Sequence, residues 1–254
     1  MVFLGTAGTR FNVINQTRSS GGMVISLGGF RMAVDPGPGA LVRMCVLRPL
    51  VDPNHISGML LTHRHIDHSG DCNSLAEAMT EGGRRPGILT ALPSDAIDDE
   101  PVLYRNLRDR FLQLVRWSDL NPVQSPGGTV RPISLRHHGV ECYGLRFDGS
   151  GIPKLGLISD TAYLPKLERF FHDREVIVAN VTLLENRPPI QHLSVPDMAR
   201  FLRQVYPKLL VMTHLGTSIL KNDPEALATQ LCTEDTTVIA ATDGMILDLN
   251  HLPT

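Results

Sequence analysis

The side chains best suited to chemistry stand together in Leu60-Leu61-Thr62-His63-Arg64-His65-Ile66-Asp67-His68-Ser69-Gly70-Asp71, where four nitrogen or oxygen donors fall within six residues as H-x-H-x-D-H. An apolar run ends here and a helical pattern follows, so the donors sit on a loop after a strand. A continuous strand could not bring all four to one ion, because successive side chains leave on opposite faces. A curling loop can send His63 and His65 to one ion and Asp67 and His68 to a second. Imidazole with carboxylate suits zinc, and manganese or iron where carboxylate or water is more abundant. Two such ions about 3.5–4 Å apart can activate a water and clamp a phosphoryl or carbonyl oxygen. A lone histidine is ordinarily a surface or satisfied core residue, but four donors at this spacing outweigh that reading.

This loop resembles the hallmark of the metallo-β-lactamase superfamily, and the resemblance runs along nearly the whole chain. It implies an αββα sandwich and further ligands at later strand ends. His138, in Leu135-Arg136-His137-His138-Gly139-Val140, is similar to the histidine of the H-G-x-x-x-x-G pattern of the ribonuclease Z branch. The glycine directly after it selects His138 over His137, which is then expected behind the ligands or in solvent. Asp160, after Leu155-Gly156-Leu157-Ile158-Ser159, matches the aspartate that bridges both metals, with a helix cap as its local alternative. His214, after Leu209-Leu210-Val211-Met212-Thr213, matches the final histidine. The resemblance thus implies His63, His65 and His138 on one ion, Asp67, His68 and His214 on the other, and Asp160 between them.

Two divalent ions would bring more positive charge than Asp67 and Asp160 balance, which favours an anionic substrate oxygen. His192, in Ile190-Gln191-His192-Leu193-Ser194, resembles the extra histidine of the phosphodiesterase branches; an imidazolium there could protonate a leaving oxygen. An ordinary histidine near a helix start is the alternative. Asp67 and His192 are the candidate catalytic residues, Asp67 by positioning ions around a bridging hydroxide. Phe3-Leu4-Gly5-Thr6-Ala7-Gly8, Val34-Asp35-Pro36-Gly37-Pro38-Gly39 and Ser159-Asp160-Thr161-Ala162-Tyr163-Leu164-Pro165 also resemble the ribonuclease Z and cyclic-phosphate phosphodiesterase side of the superfamily. Asp35 is expected to orient a ligand histidine from behind. Asp243 and Gly244 are similar to a family segment, although a turn accounts for them.

One departure from the resemblance bears on the substrate. Long-form ribonuclease Z proteins carry a tRNA-gripping arm before the bridging aspartate, whereas here only Gly139 to Ser159 intervenes, with a hairpin around Asp148–Pro153. With 24 basic against 26 acidic side chains, the chain also lacks the basic excess that phosphate contacts to RNA draw on. The expected substrate is a small anionic phosphodiester, a cyclic nucleotide or cyclic sugar phosphate. RNA is less favoured; Arg105–Arg116 or Arg84-Arg85 would have to grip it. Hydrolysis of a lactone, thioester or β-lactam is another enzymatic reading, and an iron redox module a third. The branch often dimerises, so a homodimer is among the expected assemblies.

The elements that must position these residues fit one α/β (α+β) domain over 1–254. At 254 residues and 42% apolar, the chain can bury a sizeable core. The four cysteines form no close pair, and no apolar run is long enough to span a bilayer, so a cytoplasmic protein with reduced thiols is expected. Strands are expected at Val2–Leu4, Met23–Leu27, Phe30–Val34, Met59–Leu61, Ile88–Leu89, Val130–Leu135, Cys142–Phe147, Leu155–Ile158, Val176–Ala179, Leu209–Met212, Val238–Ala240 and Met245–Leu249. Helices are expected at Cys72–Thr80, Val102–Trp117, Lys166–Phe171, Pro196–Val205 and Pro224–Leu231. The second of these, Val102–Trp117, has Leu103, Leu107, Phe111 and Leu114 or Val115 along one stripe.

Overall fold

A computed structural model describes residues 1–20 and 22–252. In the first half, β1 (Val2–Phe3), α1 (Arg10–Asn15), β2 (Met23–Leu27), β3 (Phe30–Val34), α2 (Ala40–Val46), β4 (Gly58–Leu60), α3 (Ile66–Ser69), α4 (Cys72–Met79), β5 (Ile88–Leu92), α5 (Arg105–Arg110) and β6 (Leu112–Arg116) follow in order. Their strands form a sheet in the order β1-β2-β3-β4-β5-β6, parallel from β3 onward. The second half supplies β7 (Val123–Ser125), β8 (Gly128–Ser134), β9 (Tyr143–Asp148), β10 (Leu155–Ile158), α6 (Lys166–Phe171), β11 (Val176–Leu183), β12 (Leu193–Ser194) and α7 (Val195–Phe201). It closes with β13 (Leu209–Thr213), α8 (Thr217–Leu220), α9 (Pro224–Leu231) and β14 (Thr237–Ala240). This sheet runs β14-β13-β11-β10-β9-β8-β7, with β12 beside β11 and with β10, β11, β13 and β14 parallel.

Period-two alternation decides which layer each side chain enters. Along β13, Leu209 and Val211 face the layer between the sheets, while Leu210 and Met212 face the helices. Along β3, Met32 and Val34 enter the same central layer and Ala33 faces α2 and α4. Both faces of these strands are covered, so the parallel runs carry apolar residues at nearly every position. The result is the expected αββα sandwich, with Phe3, Ile25, Phe147 and Val178 among the side chains that join the two sheets.

Two expectations need correction. The stripe read as one helix over Val102–Trp117 divides into α5 and the strand β6, which pairs with β5 from Ile88↔Leu112 to Leu92↔Arg116. In Leu112-Gln113-Leu114-Val115-Arg116, apolar spacing fits either period, and the open edge of β5 decides it for a strand. Leu112 and Leu114 then face the helices while Val115 faces the central layer. Met245–Leu249 forms no strand of its own. It runs beside β1 through Phe3 N–H to Met245 O and Leu247 N–H to Met1 O, both 2.9 Å, and a single bridge at Val2↔Ile246. The hairpin at Asp148–Pro153 joins antiparallel β9 and β10, as expected. Among the described residues, no helix is long and apolar enough to cross a membrane.

The carboxyl ends of the parallel strands converge. Asp35 follows β3, His63 follows β4, Asp160 follows β10 and His214 follows β13. Open α/β sheets characteristically bind ligands at such ends.

Candidate metal centre

The centre is built on the turn out of β4. Thr62 donates its backbone N–H to Asp35 Oδ1 and its hydroxyl to Asp35 Oδ2, each at 2.7 Å, which fixes the strand end to the residue after β3. Beyond it the chain curls into α3, whose one turn carries Asp67 and His68. Arg64, between the first two histidines, turns outward: its Nε donates to Asp95 Oδ2 at 2.9 Å, and its guanidinium also pairs with Glu100. The loop is thereby tethered on its far side, leaving His63 and His65 to face inward.

Inward-facing nitrogens crowd together. His63 Nε2 and His137 Nε2 each lie 3.1 Å from His65 Nδ1, and His68 Nε2 lies 3.1 Å from His214 Nε2. Asp67 Oδ2 is 3.4 Å from His214 Nε2. Between the two sets, Asp160 Oδ2 stands 3.5 Å from His137 Nε2, 3.6 Å from His68 Nε2 and 4.0 Å from His63 Nε2. Asn180 donates from Nδ2 to Asp160 Oδ1 at 2.8 Å and so aims the other oxygen at both sets.

The outer nitrogens settle which atoms can coordinate. His137 Nδ1 donates to the Gln191 carbonyl at 3.0 Å, and His68 Nδ1 to Asp35 Oδ2 at 2.9 Å. The Thr182 hydroxyl donates to His214 O at 3.2 Å and accepts from His214 Nδ1 at 3.0 Å. Because Thr62 gives its hydroxyl proton to Asp35, it accepts from His63 Nδ1 at 3.2 Å. In each ring the donor role lies outside, so Nε2 is turned inward as a ligand atom. Nitrogens 3.1 Å apart cannot all satisfy one another, yet this spacing is close to the roughly 3.3 Å edge of a tetrahedron with metal–nitrogen bonds of about 2.0–2.1 Å. The donor set therefore fits a pair of divalent cations: His63, His65 and His137 around one position, Asp67, His68 and His214 around the other, and Asp160 facing both.

Electrostatics agree with that fit. Burial holds His63 neutral and lowers His65, His137 and His192 to about 4. Burial also opposes charge on His68, but Asp35, Asp160 and Asp67 overcome it and raise its pKa well above the ordinary imidazole value. The same balance holds Asp67 and Asp160 below the usual carboxylate range despite burial, through His214 and His68 for Asp67 and through His214, His192 and His68 for Asp160. Ionised Asp67 and Asp160 beside His63, His65, His137 and His192, which burial keeps neutral, make a cavity that favours added positive charge.

The sequence assigns His138 to the first ion with His63 and His65; in the structure His137 joins those two, while His138 groups with His137 and His192. Val140 N–H bonds to His137 O at 3.0 Å, and His138 and Gly139 between them have φ of 41° and 77°. Two consecutive positive φ values belong to a type I′ turn, with His138 at its tip. Its side chain is exposed, while His137, at the turn's foot, is buried among His63, His65 and Asp160. The glycine taken as the mark of a ligand instead marks the turn. His138 still borders the cleft, its ring 5.6 Å from that of His192.

The other expected residues lie together. His192 Nδ1 is buried without a hydrogen-bond partner, 3.6 Å from Asp160 Oδ2, and its ring stacks 5.8 Å from that of His214. Burial leaves it a neutral imidazole rather than the expected imidazolium. Asp35 sits behind His68 as anticipated. Asp243 is more than a turn residue: it accepts from Thr6 N at 2.9 Å and Ser19 N at 2.7 Å, holding the β1 loop against the centre. In that loop a Cβ on Gly8 would lie 2.2 Å from His214 Nδ1, so only glycine lets the backbone approach the ring. Thr62, Asn180 and Thr182 escaped the sequence reading, since nothing local distinguishes a threonine or asparagine behind a ligand from any other in a strand.

A two-sheet αββα sandwich with a histidine and aspartate centre at its strand ends defines the class of metallo-β-lactamase-fold hydrolases, whose members typically bind divalent metals. The chain belongs to that superfamily: the family model described as "Beta-lactamase superfamily domain" matches residues 31–215. An uncharacterized protein of Methanocaldococcus jannaschii is 29% identical over 238 residues, covering 89% of this chain and 86% of that one. A ribonuclease Z of Methanopyrus kandleri is 24% identical over 294 aligned residues, covering 97% and 96%. Among solved structures, the metallo-β-lactamase fold protein YhfI from Bacillus subtilis superposes with a TM-score of 0.79 at 15% identity, covering 96% of each chain.

Proposed function

We propose that this hydrolase is a phosphodiesterase acting at a binuclear centre on a small phosphodiester, a cyclic nucleotide or cyclic sugar phosphate. The observation that carries the reading is a pair of arginines lining the cleft over the histidine and aspartate cluster. A cleft of about 590 Å³ opens on the centre, and Asp67 and Asp160 are the carboxylates lining it. Arg10 and Arg187 line it too, so two guanidinium groups stand beside the floor of histidines and aspartates. With Asp67 and Asp160 turned to the proposed metal positions, the two arginines favour an anionic diester. The volume lies within the ordinary range for small-molecule sites, about 300–1,000 Å³.

The proposed centre uses His63, His65, Asp67, His68, His137, Asp160 and His214, with His137 in place of His138. Two divalent ions, zinc first, would supply a Lewis acid and a lowered pKa for water there. Within the chain, Asn180 and Asp35 hold Asp160 and His68 in place, and Thr182 fixes the ring of His214. His192 borders the cleft as a neutral imidazole that can donate a hydrogen bond to the departing oxygen, whose proton then comes from solvent. Arg10 and Arg187 bind the remaining negative charge.

The test is turnover of a panel in which cyclic and acyclic phosphodiesters stand beside a lactone, a thioester and a β-lactam. Preference for the diesters is the expected result. Hydrolysis confined to the carboxyl esters or amides would overturn the proposal. The identity to the M. kandleri ribonuclease Z gives RNA cleavage as the second reading. Precursor tRNA in the same panel separates it from small-diester hydrolysis.

A further inference from the structure

The cleft has a wall that phosphate chemistry does not use. Phe11, Ile66 and Ile190 line it with 65%, 69% and 43% of their surfaces exposed, although large apolar side chains elsewhere mostly fill the layers between sheets and helices. They come from three separate places: the first turn of α1, the start of α3 and the segment before His192. Convergence of exposed apolar groups from unrelated segments in one concave surface marks a ligand contact. The segment bearing Phe11 begins at Thr9, whose φ of 72° is unfavourable for a residue with a Cβ. Such strain persists where surrounding structure imposes it, often beside functional sites.

Resting on the phosphodiesterase reading, we infer that the wall of Phe11, Ile66 and Ile190 receives a nucleobase, and that the substrate is a nucleoside phosphodiester rather than a cyclic sugar phosphate. A sugar phosphate is polar on all sides and would leave these three side chains wet. A base offers a flat apolar face that stacks on an aromatic ring and packs against branched aliphatic groups. Arg10, next to Phe11, and Arg187, near Ile190, supply donors for the ribose and phosphate oxygens at the edge of that wall. The phosphorus would then lie over the histidine and aspartate floor, with the base held to one side.

The experiment compares adenosine 2′,3′-cyclic phosphate with glycerol 1,2-cyclic phosphate, which has a five-membered cyclic diester and no base, for the wild type, Phe11→Ala and Phe11→Tyr. Phe11 is mostly in solvent, so its truncation leaves the core intact. Expected is a loss of about tenfold in kcat/KM for the nucleotide in Phe11→Ala, carried by KM, with retention in Phe11→Tyr and no change for the glycerol diester. An equal effect on both diesters, or on neither, would overturn the inference. If neither diester is cleaved, the phosphodiesterase proposal fails by itself, and calorimetric titration with adenosine monophosphate and inorganic phosphate decides the base site. Phe11→Ala weakening the nucleotide about tenfold but not phosphate supports it; unchanged nucleotide affinity refutes it.

Discussion

His137 and His138 are neighbours in the chain and have opposite surroundings, one buried against Asp160 and the other at the tip of a turn. Sequence spacing located the pair, and the glycine one residue on selected His138 by its resemblance to a family motif, although a glycine there is equally consistent with an I′ turn. The choice rests on φ at two residues, which depends on how β8 and β9 approach one another. The four donors of the H-x-H-x-D-H loop were legible because their order alone dictates a curled loop. Those behind them were not, except Asp35, whose type and place after an apolar run resembled a family feature. Replacing His137 with alanine is expected to lower bound divalent metal, measured by elemental analysis, by at least about one ion for every two chains, while His138→Ala retains the wild-type content. The reverse pattern would restore His138 to the ligand set.

At the scale of elements, α7 and the loop before it carry an indirect part of the centre. Gln191 in that loop takes the Nδ1 proton of His137 on its carbonyl and accepts His138 N–H on its side chain at 2.5 Å. The loop ends in a capping box, in which Ser194 Oγ accepts from Asp197 N at 3.2 Å and Asp197 Oδ2 accepts from Ser194 N at 3.0 Å. The helix expected at Pro196–Val205 spans Val195–Phe201, and those at Lys166–Phe171 and Pro224–Leu231 have the bounds their sequence suggests. Not expected from the sequence were α1, α2, α3 and α8, each of seven residues or fewer and none with a side-chain cap at its start. The strand β6 was hidden for a different reason, since its partner lies at the far end of a crossover. Ser194→Ala is expected to destabilise the protein by about 1 kcal/mol in urea unfolding. An unchanged midpoint would show that packing of Met198 and Phe201 alone sets the helix.

Across the whole molecule, stability and chemistry compete at the same strand ends. His65, His137 and His192 have folded pKa values of about 4, depressed by burial, against about 6.5 in an unfolded chain. Between those values the unfolded chain binds more protons, so stability falls as pH drops through the window. His68 works the other way: its pKa is raised, its stabilisation is complete below about 6.5, and it is lost only as pH rises above that point. It therefore does not cancel the loss at lower pH. Protein stripped of metal by a chelator is expected to show a urea midpoint that falls from pH 6.5 to pH 4.5. A flat or rising midpoint would mean that these imidazoles are charged in the folded state.

The central claim joins the layered fold, the converging strand ends and the arginine-lined cleft in one activity, phosphodiester hydrolysis dependent on the aspartate and histidine floor. It is tested most directly by the rate of bis(p-nitrophenyl) phosphate hydrolysis for wild type and Asp67→Ala under the same metal supply. Removing a carboxylate that faces His68 and His214 is expected to cut kcat/KM by about 100-fold or more. Equal turnover by the two proteins would contradict the account.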